Sequence, residues 1–203
     1  MIAAIVLAAG TSSRYGENKL LLPFAGTSVL RTAITHILAA EPDETIVITG
    51  HEAESITAEV RDMSVRTVHN PAYREADMIS SIQAGLRALE STTAQAALIA
   101  LGDMPLLPSE IVSKLMRMYR LGCGEIIAPR FGDQRGHPVL IARRLWAEAL
   151  AIPPRTPLRV LLAAHMNTVA LLQVTTDRIL RDVDTPALYR EALAVKKVES
   201  DRR

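Results

Sequence analysis

Leu7-Ala8-Ala9-Gly10 closes an apolar run and leads into Ser12, Arg14, Gly16 and Lys19, the stretch of this chain best suited to chemistry. Small side chains let successive backbone N–H groups approach an anion closely, and Arg14 and Lys19 bring positive charge beside them. The combination suits a phosphate group. It is not a Walker A loop, because no Gly-Lys-Ser/Thr ends it, nor a dinucleotide fingerprint, which needs Gly-x-Gly-x-x-Gly. An ordinary strand-to-helix turn with solvated Arg and Lys is the competing reading. The order of small loop, Arg, Gly, Lys and then Leu21-Leu22-Pro23 weighs against it.

Asp103 is the second candidate. It follows the apolar run 96–101 and Gly102, and Pro105 then turns the chain. A carboxylate at the carboxyl end of a strand is well placed to hold Mg²⁺, which takes a few carboxylates plus phosphate oxygens; a turn or helix cap would use the same residue. Asp182 and Asp184 are two apart, so in extended backbone they share a face. One could complete a metal site with Asp103, while the other caps the last helix through Asp184-Thr185-Pro186. The capping argument favours Asp182 as the ligand. Ser80, Ser81 and Gly85 open a helix, where serines also serve as caps. His36, His51, His69 and His165 show no metal-type spacing and read as structural.

Elements that would position these residues alternate along the chain. Residues 2–7 form an apolar run without period-2 alternation, which suits a strand covered on both faces. Further strands are expected at 45–49, 64–69, 96–101, 125–128, 137–141 and 169–174, with 137–141 in an edge or antiparallel role. Helices are expected at 28–40, 78–89, 109–120, 143–151, 157–165 and 185–194. Repeated strand–helix units imply one mostly parallel sheet with helices on both faces, a three-layer α/β domain. In such sheets ligands sit beyond the carboxyl ends of the strands, where the opening loop and Asp103 both fall. The domain is expected over 1–195, with a polar tail fraying over 196–203.

Composition bounds the rest. Of 203 residues 49% are hydrophobic, and 23 basic against 22 acidic residues leave a formal charge of +1. That is a globular profile without the basic excess of a general nucleic-acid binder. No run approaches the ~20 apolar residues of a membrane span. Cys123 is the single cysteine, which rules out an internal disulfide or thiolate cluster and fits a reducing cytoplasm.

The opening loop resembles the nucleotidyltransferase signature L-A-A-G-x-S-x-R-x-G-x-x-K-x-L-L-P. It is most similar to the MobA/MocA-like molybdenum cofactor nucleotidyltransferases, closest to the cytidylyltransferases. Asn70-Pro71, the stretch from Ser80 through Gly85 to Leu86, Gly102-Asp103-Met104-Pro105, Gly136-His137-Pro138-Val139 and Asp182-Val183-Asp184-Thr185-Pro186 agree in order, so the resemblance spans nearly the whole chain. It implies the fold shared with sugar-phosphate nucleotidyltransferases. By the same resemblance Leu7, Ala8, Ala9, Gly10 and Ser12 meet the triphosphate, Arg14 and Lys19 clamp phosphates, and Asp103 binds the metal. Asn70, Ser80, Ser81 and Gly85 fall in the nucleotide half, with Ser81 beside the base. His137 would lie near the second substrate, either binding a phosphate or as a buried strand residue. The chain departs from the family's Gly-Met-Ser-Ser-Ser, with Asp77 and Ile79 in place of the glycine and first serine. It also lacks the Gly-rich stretch that often precedes the helix near 157.

The reaction implied is Mg²⁺-dependent transfer of CMP from CTP to molybdenum-molybdopterin, whose product would be handed to an enzyme of the xanthine dehydrogenase family. Leu-Ala-Ala-Gly, where guanylyl-transferring relatives read Leu-Ala-Gly-Gly, favours CTP over GTP. GTP use, another phosphorylated acceptor, and a non-catalytic carrier of molybdenum cofactor are the alternatives. Retention of Lys19 and Asp103 argues against a carrier, which needs no triphosphate clamp.

Overall fold

A computed structural model describes residues 1–12, 15–75 and 78–200, with the backbone alone for 199 and 200. The first strand, β1 (Ile2–Ala8), is buried on both faces, as its unbroken apolar run requires. A two-residue hairpin, β2 (Pro23–Phe24) and β3 (Thr27–Ser28), leads into α1 (Val29–Leu38), which Ser28 caps by accepting from the Arg31 N–H. Then follow β4 (Glu44–Thr49), α2 (Ala53–Val60), β5 (Arg66–His69), α3 (Met78–Leu89), β6 (Ala96–Leu101) and α4 (Ser109–Arg120). The second half runs β7 (Ile126–Phe131), β8 (Gln134–Arg135), β9 (Val139–Ala142), α5 (Trp146–Leu150), α6 (Arg159–Ala164), β10 (Val169–Gln173) and α7 (Pro186–Ser200).

The large sheet has the order β10-β7-β9-β6-β1-β4-β5, with β8 paired to β7. Pairings β6–β1, β1–β4, β4–β5 and β7–β10 are parallel, and β9 is antiparallel to both β6 and β7. The antiparallel expectation for this segment therefore holds. The edge role does not: β9 is an interior strand, and its four apolar residues are all buried. Alternate residues of β1 serve opposite faces. Ile2, Ala4 and Val6 meet α1, α2 and α4 through side chains such as Ile34, Ile56 and Leu115, whereas Ala3 and Ile5 meet α3, α5 and α6 through Ile82, Trp146 and Leu161. The result is a single three-layer domain. A smaller cluster of Phe24, Val29, Leu106, Val183 and Ala192 docks the hairpin and α7.

Helix α2 was not expected. Only Ile56 and Val60 of its eight residues are buried, four apart, too few to register as a periodic stripe. At the other end the last helix runs through Ser200. Among the described residues, no helix is long and apolar enough to cross a membrane.

Candidate functional site

Strands β1, β4 and β6 run parallel and end level, with Leu7 opposite Leu101 and Ala8 opposite Thr49. Beyond their carboxyl ends lies a cleft of about 420 Å³. Its wall begins with Leu7, Ala8, Ala9, Gly10, Thr11 and Ser12, the loop singled out above. Ser12 holds this loop in shape: at φ 49° its carbonyl accepts from the Tyr15 N–H (2.9 Å) and its hydroxyl accepts from the Lys19 N–H (3.1 Å). Lys19 opens a short 3-10 helix, Lys19–Leu21, capped by the Asn18 side chain, whose Oδ1 accepts from the Leu20 N–H.

Gly102 brings Asp103 to this point. Its N–H donates to Leu7 O at 2.9 Å, and a β-carbon there would stand 2.9 Å from both that oxygen and Leu30 Cδ1. Only glycine lets β6 turn so close to β1. The segment at 182–184 is fastened by its backbone: Val183 N–H donates to Asp103 O (3.0 Å), and the Tyr15 hydroxyl donates to Val183 O (2.9 Å). The Lys19 ammonium then lies 2.5 Å from Asp103 Oδ2 and 2.5 Å from Asp184 Oδ1. Burial works against the charged ammonium, but the two carboxylates outweigh it and the Lys19 pKa is raised. Asp182, which also lines the cleft, has its pKa raised by burial first, then by Asp103 and Asp184. The three carboxylates thus share one field, and Lys19 is the cation among them.

Thr185 caps the last helix, its hydroxyl accepting from the Leu188 N–H (3.3 Å), while an Asp182 oxygen accepts from the Asp184 N–H (3.3 Å). Both Asp182 and Asp184 line the cleft. Asp103 Oδ1 is buried and has no hydrogen-bond partner among the described residues. Among the described residues no three His, Cys, Asp or Glu side chains form a preassembled metal site.

Tyr73, Met78 and Ser81 line the cleft as well. Ser81 is held from behind by Asn70, which also reaches Ser80. Gly85 is elsewhere. A β-carbon on it would meet Ile5 Cγ2 at 2.6 Å, so it lets α3 press on β1 and faces the core instead of the cleft. His137 precedes β9, half-buried with its Nδ1 enclosed. Burial lowers its pKa, partly offset by a hydrogen bond with the Ile99 backbone and the nearby Asp103. A neutral imidazole is a poor phosphate ligand. Arg14 and Asp77 lie outside the described residues. Tyr15, Asn18 and Tyr73 were missed. Asn18, standing directly before Lys19, carried a legible capping signal; the Tyr15 bond spans 168 positions and left none.

A three-layer sheet with this cleft at its strand ends has the nucleotide-diphospho-sugar transferase-like architecture. Residues 4–169 match the model of the MobA-like NTP transferase domain, and the chain belongs to that family. It is a nucleotidyltransferase. It is 28% identical over 188 residues to the molybdenum cofactor cytidylyltransferase of Escherichia coli, covering 91% of this chain and 92% of that one. The crystal structure of Rv0371c from Mycobacterium tuberculosis superposes with a TM-score of 0.83 at 26% identity, covering 95% of this chain and 97% of the other. The same protein in complex with manganese gives 0.80 at 25% identity, over 95% and 98%.

Proposed function

We propose that this nucleotidyltransferase moves CMP from CTP to the terminal phosphate of molybdenum-molybdopterin and releases pyrophosphate. The observation that carries the reading is Lys19, held between Asp103 and Asp184 beside a loop of small residues. The triphosphate lies along residues 7–12, where Lys19, together with Arg14 from the same motif, neutralises its charge. The acceptor phosphate is already anionic at neutral pH, so it attacks the α-phosphorus without a general base. The bond from that phosphorus to the bridging oxygen breaks, and pyrophosphate takes the electron pair. What the protein contributes is alignment and charge.

Carboxylate oxygens are the donors Mg²⁺ takes, and Asp103 Oδ1, which no described residue hydrogen-bonds, fits such a cation. Asp103 with Asp182 or Asp184 would hold it, phosphate oxygens completing the shell, and the cation would supply charge neutralisation at the phosphates. The manganese complex of the Mycobacterium relative supports a divalent cation. CTP is favoured by Leu7-Ala8-Ala9-Gly10 and by the activity named for the Escherichia coli relative. The product would pass to an enzyme of the xanthine dehydrogenase family.

The protein should be incubated with Mg²⁺, molybdenum-molybdopterin and each of the four triphosphates in turn, with pyrophosphate measured. CTP should give the fastest release. Equal release with all four removes the case for CTP, and none with any removes molybdenum-molybdopterin as the acceptor.

A further inference from the structure

Val183 stands between the two carboxylates of the last cleft segment and is held in three directions. Its side chain is 1% exposed and packs with Phe24, Val29, Leu106 and Ala192. Its N–H donates to Asp103 O at 3.0 Å, and its carbonyl accepts from the Tyr15 hydroxyl at 2.9 Å. A carbonyl has no hydrogen to give, so the hydroxyl is the donor. The first two restraints come from the core and from the turn after β6. The third comes from the loop that also carries Lys19.

That third restraint governs more than one residue. The Val183 carbonyl and the Asp184 N–H belong to one planar peptide group, so a bond that fixes the oxygen also aims the N–H. The Asp184 N–H in turn donates to an Asp182 oxygen at 3.3 Å. One hydroxyl therefore sets the direction in which Asp184 leaves the backbone and the place where the Asp182 carboxylate rests. Tyr15, Asp182 and Asp184 all line the cleft. Position 15 is one of the variable places in the loop signature, which assigns it no work. We infer that Tyr15 is a positioning residue: it presents the carboxylates of Asp182 and Asp184 to a divalent cation in register with the phosphate-binding loop. The inference rests on the reading of the cleft as a site for a nucleoside triphosphate and Mg²⁺.

The test is calorimetry on the parent protein, Tyr15→Phe and Tyr189→Phe. CTP is titrated without metal, and Mg²⁺ is titrated into protein carrying CTP, with the heat of a protein-free CTP titration subtracted. Phenylalanine at position 15 keeps the ring and the N–H bond to Ser12 O, and removes only the hydroxyl. The carboxylate segment then spends less time in the binding arrangement, and the apparent affinity falls by the lost fraction. In Tyr15→Phe the Mg²⁺ affinity should drop about fivefold, the factor that one net hydrogen bond supplies. CTP affinity without metal should stay at the parent value, because residues 7–12 and Lys19 keep their own bonds. Tyr189 is the matched control. Its hydroxyl also donates to a main-chain oxygen, that of Pro23, and its ring packs on the same small cluster, but its bond serves the hairpin. Tyr189→Phe should leave Mg²⁺ affinity unchanged. Equal losses of Mg²⁺ affinity in the two variants would trace the effect to a loosened cluster and overturn the inference. So would a Tyr15→Phe that binds Mg²⁺ like the parent, or that loses CTP and Mg²⁺ affinity alike. A parent that binds no CTP, or no Mg²⁺ beyond what free CTP takes up, overturns the reading of the cleft and this inference with it.

Discussion

Replacing Lys19 with methionine keeps the length of the side chain and removes the charge from between two carboxylates. Its ammonium is 2.5 Å from Asp103 Oδ2 and from Asp184 Oδ1, with the side chain 13% exposed. Because the Lys19 pKa is raised on folding, its contribution is complete below the ordinary lysine value of ~10.4 and is lost as pH rises through the folded value. At pH 7 all of it is present. Removing one partner of a buried pair costs ~3–5 kcal/mol. Asp184 is 43% exposed, however, so solvent screens part of its charge and the expected loss is ~2 kcal/mol. A chain of this size loses ~2–4 °C of Tm per kcal/mol, so Lys19→Met should melt ~4–8 °C lower in low salt. Thermal melts at pH 7 and pH 4 test the cause. Asp182 already has a raised pKa that Lys19 holds down, so with Lys19 gone it accepts a proton more readily and the gap should narrow in acid. Mg²⁺ should recover more of the Tm in the variant, whose carboxylates lack a counter-charge, than in the parent. A variant melting within ~1 °C of the parent at pH 7 would refute the view that Lys19 neutralises this cluster.

Asp103→Asn should abolish measurable turnover and weaken Mg²⁺ binding in calorimetry; unchanged Mg²⁺ affinity would remove Asp103 from the proposed metal site. Thr185→Ala removes the cap of α7 and should cost ~1 kcal/mol in a denaturant melt, because the Leu188 N–H loses its acceptor. Asp184→Ala should leave that cap intact, so an α7 that loosens in this variant, seen by hydrogen exchange, would contradict the assignment. The pKa of His137 is lowered on folding, so its contribution is present above the ordinary histidine value of ~6.5 and lost as pH falls through the folded value. His137→Asn should flatten the pH dependence of Tm between the folded value and ~6.5, and an unchanged slope would mean that the imidazole protonates freely when folded.

The sheet was legible because its strands are buried on both faces. Residues 2–7 and 96–101 contain no polar residue to break the run, and both appear as the central β1 and β6. Helices with a wide apolar stripe, such as α3 and α4, fall where periodicity puts them. What escaped notice was set by long-range partners. The interior position of β9 depends on pairing with β6 and β7, which no local pattern of Val139, Leu140, Ile141 and Ala142 encodes. In the cleft, single-residue chemistry marked Lys19, Asp103, Asp182 and Asp184, but not their division of labour. Asp184 stands in Asp-Thr-Pro, a good helix start, where Thr185 supplies a cap and the Asp184 carboxylate meets Lys19. Gly85 looked like part of the nucleotide half because it shares a helix with Ser81. Four residues on, the helix presents it instead to Ile5, where it answers to packing.

The bonds that assemble the charged part of the cleft differ in kind from those that fill it. Gly102 N–H to Leu7 O, Val183 N–H to Asp103 O and the Tyr15 hydroxyl to Val183 O join three segments far apart in sequence, and each uses a main-chain group. These contacts do not depend on the charge state of the cleft. The Lys19 contacts to Asp103 and Asp184 are between side chains, and rotamer changes can exchange them without moving the backbone. A polyphosphate entering beside the loop would compete with those carboxylates for the same ammonium, and they would then need a new cation. The frame stays fixed while the ion pairs trade partners. On this argument nucleotide and divalent cation should bind with positive coupling, each releasing the charge that the other requires. Calorimetric titration of Mg²⁺ with and without CTP measures the coupling directly. Identical Mg²⁺ affinities in the two titrations would show that Lys19 keeps its carboxylate partners when the site is filled.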